Sequence, residues 1–315
     1  LDRLLPHGTL PFGLSVYYNE SSNFQPAAGR ANIYAEPLPA PSGKTTDYGL
    51  MLSTEDGRYS LKVNWYETTV NLASTNAIAS YQWFLGTGVA WGYNWAHIFS
   101  ADEGPDWRIN YQPWTGQTPE EAAALEAEAV AAWYANPPSD QFLDAWGFQF
   151  DGENTTQRAP SGFTATEDTV SEGIEIEFVA NPTSNWRITA NIAKQEATRS
   201  NVGGDALNEF IQERTNTYNT TPAGDLRIWW GGSTETTRTQ WQSNFLSNYA
   251  LVQLLEGTAV PELREWRVNV ITNYNFDDGV LRGTNIGGAY RWQDEVVIGY
   301  PLIQGENGVT YDLAN

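Results

Sequence analysis

Asp47 to Val70 reads DYGLMLSTEDGRYSLKVNWYETTV. Tyr48, Leu50 and Leu52 alternate with Gly49, Met51 and Ser53. The chain then turns at Glu55-Asp56-Gly57, after which Tyr59, Leu61, Val63 and Trp65 alternate with Ser60, Lys62, Asn64 and Tyr66. Successive side chains of a strand point to opposite faces, so a period of two predicts strands with one apolar and one polar face. An Asp-Gly turn between two such runs predicts a β-hairpin.

The same pattern returns twice. Ile174, Ile176 and Phe178 alternate with Glu175, Glu177 and Val179; a turn at Asn181 to Asn185 follows, and Trp186, Ile188, Ala190 and Ile192 alternate with Arg187, Thr189, Asn191 and Ala193. Trp266, Val268, Val270 and Tyr274 alternate with Arg267, Asn269, Asn273 and Asn275, turn at Asp277-Asp278-Gly279, and return through Ile286, Tyr290 and Trp292 against Asn285, Gly287 and Arg291. A single run, Leu10 to Asn19, stands before the first hairpin. Seven long strands are thus expected, each near the roughly 9–11 residues of a tilted membrane-crossing strand. Aliphatic faces with Trp, Tyr or Phe near their ends, backed by Glu, Lys, Arg and Asn, match the apolar-outside, polar-inside rule of a transmembrane barrel with aromatic girdles.

The connections are uneven. Turns of a few residues alternate with long insertions, Thr69–Thr169 and Gln195–Leu263, and with the Pro-rich stretch Asn23–Thr45. Short turns on one side and long loops on the other are the habit of outer-membrane barrels. The insertions predict helices. Thr118-Pro119-Glu120-Glu121 has Thr at the N-cap, Pro at N1 and Glu at N3, which starts a helix over 120–134 that Asn136-Pro137-Pro138 stops. Further helices are expected at 205–214 and 240–255.

Composition narrows the function. The chain has 17 basic and 38 acidic residues and a net charge of −21, a field that repels nucleic-acid phosphates. Residues 69–169 hold 13 acidic and 2 basic residues, a net of −11, the mark of a solvated outer surface. No cysteine is present, which removes disulfides and thiolate sites. No run of 18 apolar residues marks a membrane-spanning helix.

No pattern carries covalent chemistry. His7 and His97 are the only histidines and have no ligand partner at zinc spacing, and no G-x-S-x-G occurs. Glu175 and Glu177 could be a glycosidase pair, but at i,i+2 on a strand they read as a polar stripe. Gly86-Thr87-Gly88 lacks the third glycine of a dinucleotide fingerprint and reads as a flexible loop. Asp102 to Asp106 and Asp151 to Asn154 offer hard oxygens to Ca²⁺ without matching a known ligand register. No catalytic residue, metal or cofactor is therefore expected. Trp91, Tyr93 and Trp95, with Trp107, Trp114, Trp229 and Trp230, are candidate ligand-stacking rings of the insertions.

These segments, in order, resemble the barrel of TonB-dependent outer-membrane receptors. DYGLMLSTEDGRYSLKVNWYETTV is similar to their E-x-G-x-K-x-x-x-x-D-G-R-x-x-L hairpin, with Asp47 in place of Glu. LSVYYNESSNFQP resembles their S-x-S-F-x-P strand, SEGIEIEFVANPTSNWRITANIAK their G-x-E-x-E strand and N-W return, and LRGTNIGGAYRWQDEVVIGYP their late G-G-x-Y-R hairpin. The resemblance implies part of a 22-stranded antiparallel transmembrane β-barrel in the bacterial outer membrane. The expected part starts near a periplasmic turn at Leu5-Pro6-His7-Gly8, ends in an extracellular loop, and lacks the family's plug, coupling segment and closing strand. It further implies a receptor and transporter for a large ligand (siderophore, cobalamin or glycan) with three partners: outer-membrane lipid, an extracellular ligand, and the TonB complex acting through the plug. The alternative is a secreted soluble all-β protein that binds or degrades carbohydrate. Such a sandwich buries its apolar face and spaces its turns evenly.

Overall fold

The computed structural model describes residues 12–27, 29–100, 118–151, 154–228, 235–258, 260, 263–296, 302–304 and 311–313. The strands are β1 (Phe12–Phe24), β2 (Ser42–Thr54), β3 (Tyr59–Ser74), β4 (Gln149–Phe150), β5 (Thr155–Thr156), β6 (Thr166–Thr183), β7 (Trp186–Gly203), β8 (Trp266–Asn275), β9 (Asn285–Gln293), β10 (Leu302–Gln304) and β11 (Tyr311–Leu313). The longer helices are α1 (Phe84–Ser100), α2 (Pro119–Ala135) and α4 (Asp205–Thr220). Short helices are α3 (Asp140–Ala145), α5 (Thr237–Trp241) and α6 (Ser247–Leu254), the last two joined by a π turn over Gln242–Leu246.

Seven strands form one antiparallel meander, β1-β2-β3-β6-β7-β8-β9. Its register aligns the alternating residues strand by strand. Val16, Leu50, Val63, Ile176, Ile192, Val268 and Trp292 make one cross-sheet row, and Leu14, Leu52, Leu61, Phe178, Ala190, Val270 and Tyr290 make the next. Both rows lie on one face. The intervening row of the other face runs Ser15, Met51, Lys62, Glu177, Asn191, Asn269 and Arg291. A one-residue slip in any strand would put that strand's apolar set among the charges, which is why alternation fixes register.

The three short connections lie at one end of the sheet and the three long ones at the other. The β6–β7 turn is tighter than the sequence predicts. Thr183 pairs with Trp186 after a register shift, so only Ser184-Asn185 turn the chain. At the opposite end the strands run further than the alternation does. β3 continues to Ser74, β6 begins at Thr166 and β7 ends at Gly203, so the insertions span 75–165 and 204–265. Backbone pairing continues there while the hydrophobic alternation fades.

The insertions, with residues 25–41, fold into one helical assembly. Its core includes Ile33, Phe84, Leu85, Trp133, Phe142, Trp146, Phe210, Leu226, Trp241 and Phe245. Among the described residues, no member of that buried cluster comes from a strand of the seven-stranded sheet.

Helix α2 starts as its sequence requires. Glu121 N–H donates to Thr118 Oγ1 at 3.2 Å, and Thr118 N–H donates to Glu121 Oε2 at 2.8 Å. Helix α4 runs beyond 214 to Thr220, and 240–255 is broken by the π turn. Gly86-Thr87-Gly88, expected as a flexible loop, lies inside α1. A Cβ on Gly86 would sit 2.5 Å from the Trp146 ring, so that glycine serves close packing.

Candidate functional site

Among the described residues nothing covers the apolar face of the sheet. Val16, Ile286 and Tyr290 are each 60–64% exposed, and Tyr18, Tyr48, Trp186 and Trp292 are exposed with them. A face of this size against water would be strongly unfavourable, at about 25 cal/mol per Å² of apolar surface. Rings bound it above and below. Tyr48 stacks on Trp65 with centroids 5.8 Å apart, and Trp266 stands at the same level three strands further on. At the far end Trp186 donates its indole N–H to Thr272 Oγ1 at 2.9 Å, and Tyr274 pairs with Trp186. Trp266 and Tyr274 bracket β8 eight residues apart. At about 3.3 Å per residue and a tilt of about 40° their separation is about 20 Å in height, close to the apolar band of a membrane barrel.

Lys194 interrupts the apolar face at the ring level. Its ammonium leaves that face toward Glu265 at 3.0 Å and lies 6.0 Å from the Trp266 ring centre, the posture of a cation reaching out of apolar surroundings.

The opposite face is polar, with Met51 and Ile271 as exposed exceptions. Glu175 sits between register partners Asn64 and Ala193, and Glu177 between Lys62 and Asn191. They are successive members of a stripe that crosses the sheet. Two joints stiffen this face. Tyr17 lies over its partner Gly49, and Tyr66 over its partner Gly173. A glycine in a strand weakens it unless a ring from the next strand covers the gap.

The candidate stacking rings separate. Trp91, Tyr93 and Trp95 lie on α1, where residues two apart point about 200° from each other. Trp91 packs on Trp83 and Phe84, with ring centres 6.2 Å and 5.5 Å away, and Trp95 is buried beside Phe99. Tyr93 alone turns to an outer cleft of about 340 Å³. Trp107, Trp114, Trp229 and Trp230 lie outside the described residues, as do Leu5 to Gly8 and Asp102 to Asp106. Asp151 accepts the Asn154 N–H at 2.7 Å, a local turn. Among the described residues no group of three or more His, Cys, Asp or Glu is placed to hold a metal ion.

The cleft is walled by Tyr93, His97, Tyr134, Leu143, Phe148 and Phe150. The rings of His97 and Phe150 meet edge to face at 4.5 Å, and Tyr93 lies 6.4 Å from both Tyr134 and Phe148. Of these six residues the sequence offered only Tyr93 as a ligand contact, because α1, α2, α3 and the β4 strand join them only in space. Burial raises the Tyr93 phenol above its usual value, so it is neutral at physiological pH.

No protein-family model matches the chain, and no curated protein does. Several solved structures are similar to it. They include the FpvAI–pyocin S2 complex (11% identity, TM-score 0.41, 95% of this chain and 23% of the other) and the alcaligin outer-membrane receptor FauA of Bordetella pertussis (13%, 0.36, 89% and 27%). They also include the ferripyoverdine receptor of the outer membrane of Pseudomonas aeruginosa bound to ferripyoverdine (11%, 0.38, 95% and 23%). The chain spans about a quarter of the length of these proteins.

Proposed function

We propose that the seven strands are part of the wall of a transmembrane β-barrel in a bacterial outer membrane. The barrel belongs to a receptor that takes up a large ligand with the help of the TonB system. The observation that carries the reading is the ring-bounded apolar face that no described residue covers, on a sheet that, among the described residues, gives no member to the buried cluster of the helical assembly. In lipid such a face is solvated by hydrocarbon, while the strands satisfy one another's backbone groups. Among the described residues β1 and β9 end the meander without a further partner strand, and closure by further strands would pair them. The quoted strand motifs supply the family. In this reading the helical assembly faces outward and meets the ligand, a siderophore, cobalamin or glycan, and the polar face lines the lumen beside a plug. No covalent chemistry is involved.

The absence of cysteine makes the orientation directly measurable. Single cysteines placed at Val63, Ile176 and Ile192, and at Lys62, Glu177 and Asn191, are spin-labelled in lipid vesicles. The first set is expected to be open to oxygen and closed to a polar nickel chelate, the second the reverse. Equal accessibility to the chelate in both sets, or a folded monomer purified without detergent, would replace this reading by a soluble all-β one.

A further inference from the structure

We propose that the outer cleft of the helical assembly binds a flat, uncharged aromatic group bearing one polar substituent. Five rings and Leu143 surround a space of about 340 Å³, within the range of small-ligand pockets. Tyr134 and Phe150 are about half exposed, so two ring faces are left for a planar guest to cover. Stacked or edge-on ring contacts are the favoured arrangement for such a guest.

The polar complement is small and specific. Thr155 lines the cleft, and its Oγ1 is buried without a hydrogen-bond partner. Its backbone N–H is held by Asn94 Oδ1 at 2.5 Å, so the residue is fixed in place. A buried hydroxyl left unpaired costs free energy, which a donor or acceptor on a guest would recover once rotation about χ1 turns the hydroxyl to the cleft. Gln149 and the imidazole of His97 complete the polar wall. Among the described residues no carboxylate, ammonium or guanidinium lines the cleft, and the surrounding insertion is strongly acidic, so an anionic guest gains no ion pair and meets repulsion. A pyranose, with hydroxyls around its rim, would leave most of them facing phenyl groups unpaired.

The test uses the full chain in detergent micelles and equilibrium dialysis at neutral pH with four separate probes: 2-naphthol, naphthalene, 2-naphthoate and methyl β-D-glucopyranoside. Partition into micelles is linear in probe, so the saturable part reports the cleft. One saturable site for 2-naphthol is expected, weakened about tenfold by Phe150→Ala and lost in Leu143→Trp, which fills the space. Thr155→Val is expected to weaken 2-naphthol about fivefold and leave naphthalene unchanged. Far-UV circular dichroism checks that each variant is folded. Absence of a saturable site for 2-naphthol overturns the proposal. So does equal binding of 2-naphthoate or of the glucoside, or a site indifferent to both Phe150→Ala and Leu143→Trp. This assay does not read lipid contact, so its failure and that of the membrane reading are separate results.

Discussion

Tyr17 lies across Gly49, its partner on the neighbouring strand, and its hydroxyl donates to Asn64 Oδ1 one strand further on at 2.7 Å. One ring thus ties β1, β2 and β3 together on the polar face. A Cβ on Gly49 would crowd the Val63 carbonyl oxygen of β3 and stand 2.6 Å from that hydroxyl, closer than real atoms approach. Gly49→Ala is therefore expected to displace the ring, break the bond to Asn64 and cost roughly 1–3 kcal/mol. Urea titration of the chain refolded in vesicles measures it. Tyr17→Phe removes only the bond and should cost about 1 kcal/mol. Because one joint carries both effects, the double variant should fall short of their sum; additive losses would show that ring and glycine act separately.

Ile176 sits at the middle of the apolar face, between Val63 and Ile192, and Glu177 is its neighbour on the other face. Ile176→Arg is expected to cost about 2–4 kcal/mol in lipid vesicles, and Glu177→Arg less than about 1 kcal/mol. Equal penalties would contradict the assignment of the two faces.

The strands were legible because a sheet with one apolar and one polar face imposes a period of two on its residues. Leu50 and Val63 declare their face without any knowledge of their partners. Past Tyr66 that pressure ends, so Glu67 to Ser74 carry no alternation although they remain paired. Helix α1 was hidden for the opposite reason. Its sequence, FLGTGVAWGYNWAHIFS, holds three glycines, each unfavourable in a helix by about 1 kcal/mol. Tertiary packing offsets this: Gly92 gives the Trp133 ring its place, and Gly86 that of Trp146. In a linear reading Trp91, Tyr93 and Trp95 look like one set of rings, whereas the helix sends Tyr93 alone to the cleft.

Arg214 is buried in the middle of α4 and braces the chain where it leaves α2. Its Nη1 donates to the Asn136 carbonyl at 3.1 Å and its Nη2 to the Pro137 carbonyl at 3.2 Å, with Glu213 Oε1 at 2.6 Å. Asn136 caps α2 and Pro137 follows it, so these carbonyls lie just beyond the helix, where Pro137-Pro138 cannot continue it to supply partners. Arg214→Met keeps the stem and removes the fork, at an expected cost of roughly 2–3 kcal/mol. Lysine should rescue little, because one ammonium cannot reproduce the fork. Hydrogen exchange is expected to rise in α2 and α4 and to stay unchanged in β6 and β7.

Tyr81 is buried against Phe245, with ring centres 5.4 Å apart, and its hydroxyl has no partner. Burial pushes its phenol from an ordinary value of 10 up to about 12. The folded state holds this proton more tightly than the unfolded chain does. Its stabilisation is therefore complete below pH 10, declines as the unfolded tyrosine ionises, and is gone once pH passes about 12. Tyr218, also raised to about 12 by burial, adds to the same alkaline loss. Tyr81→Phe deletes both the orphan hydroxyl and one source of that loss. The expected gain is about 1 kcal/mol at pH 7 and about 2 kcal/mol at pH 11, where the unfolded wild-type tyrosine is ionised and the buried one is not. Near-UV circular dichroism under urea at the two pH values reads the difference. An identical gain at both would mean that the Tyr81 proton is no better held in the fold than in the open chain.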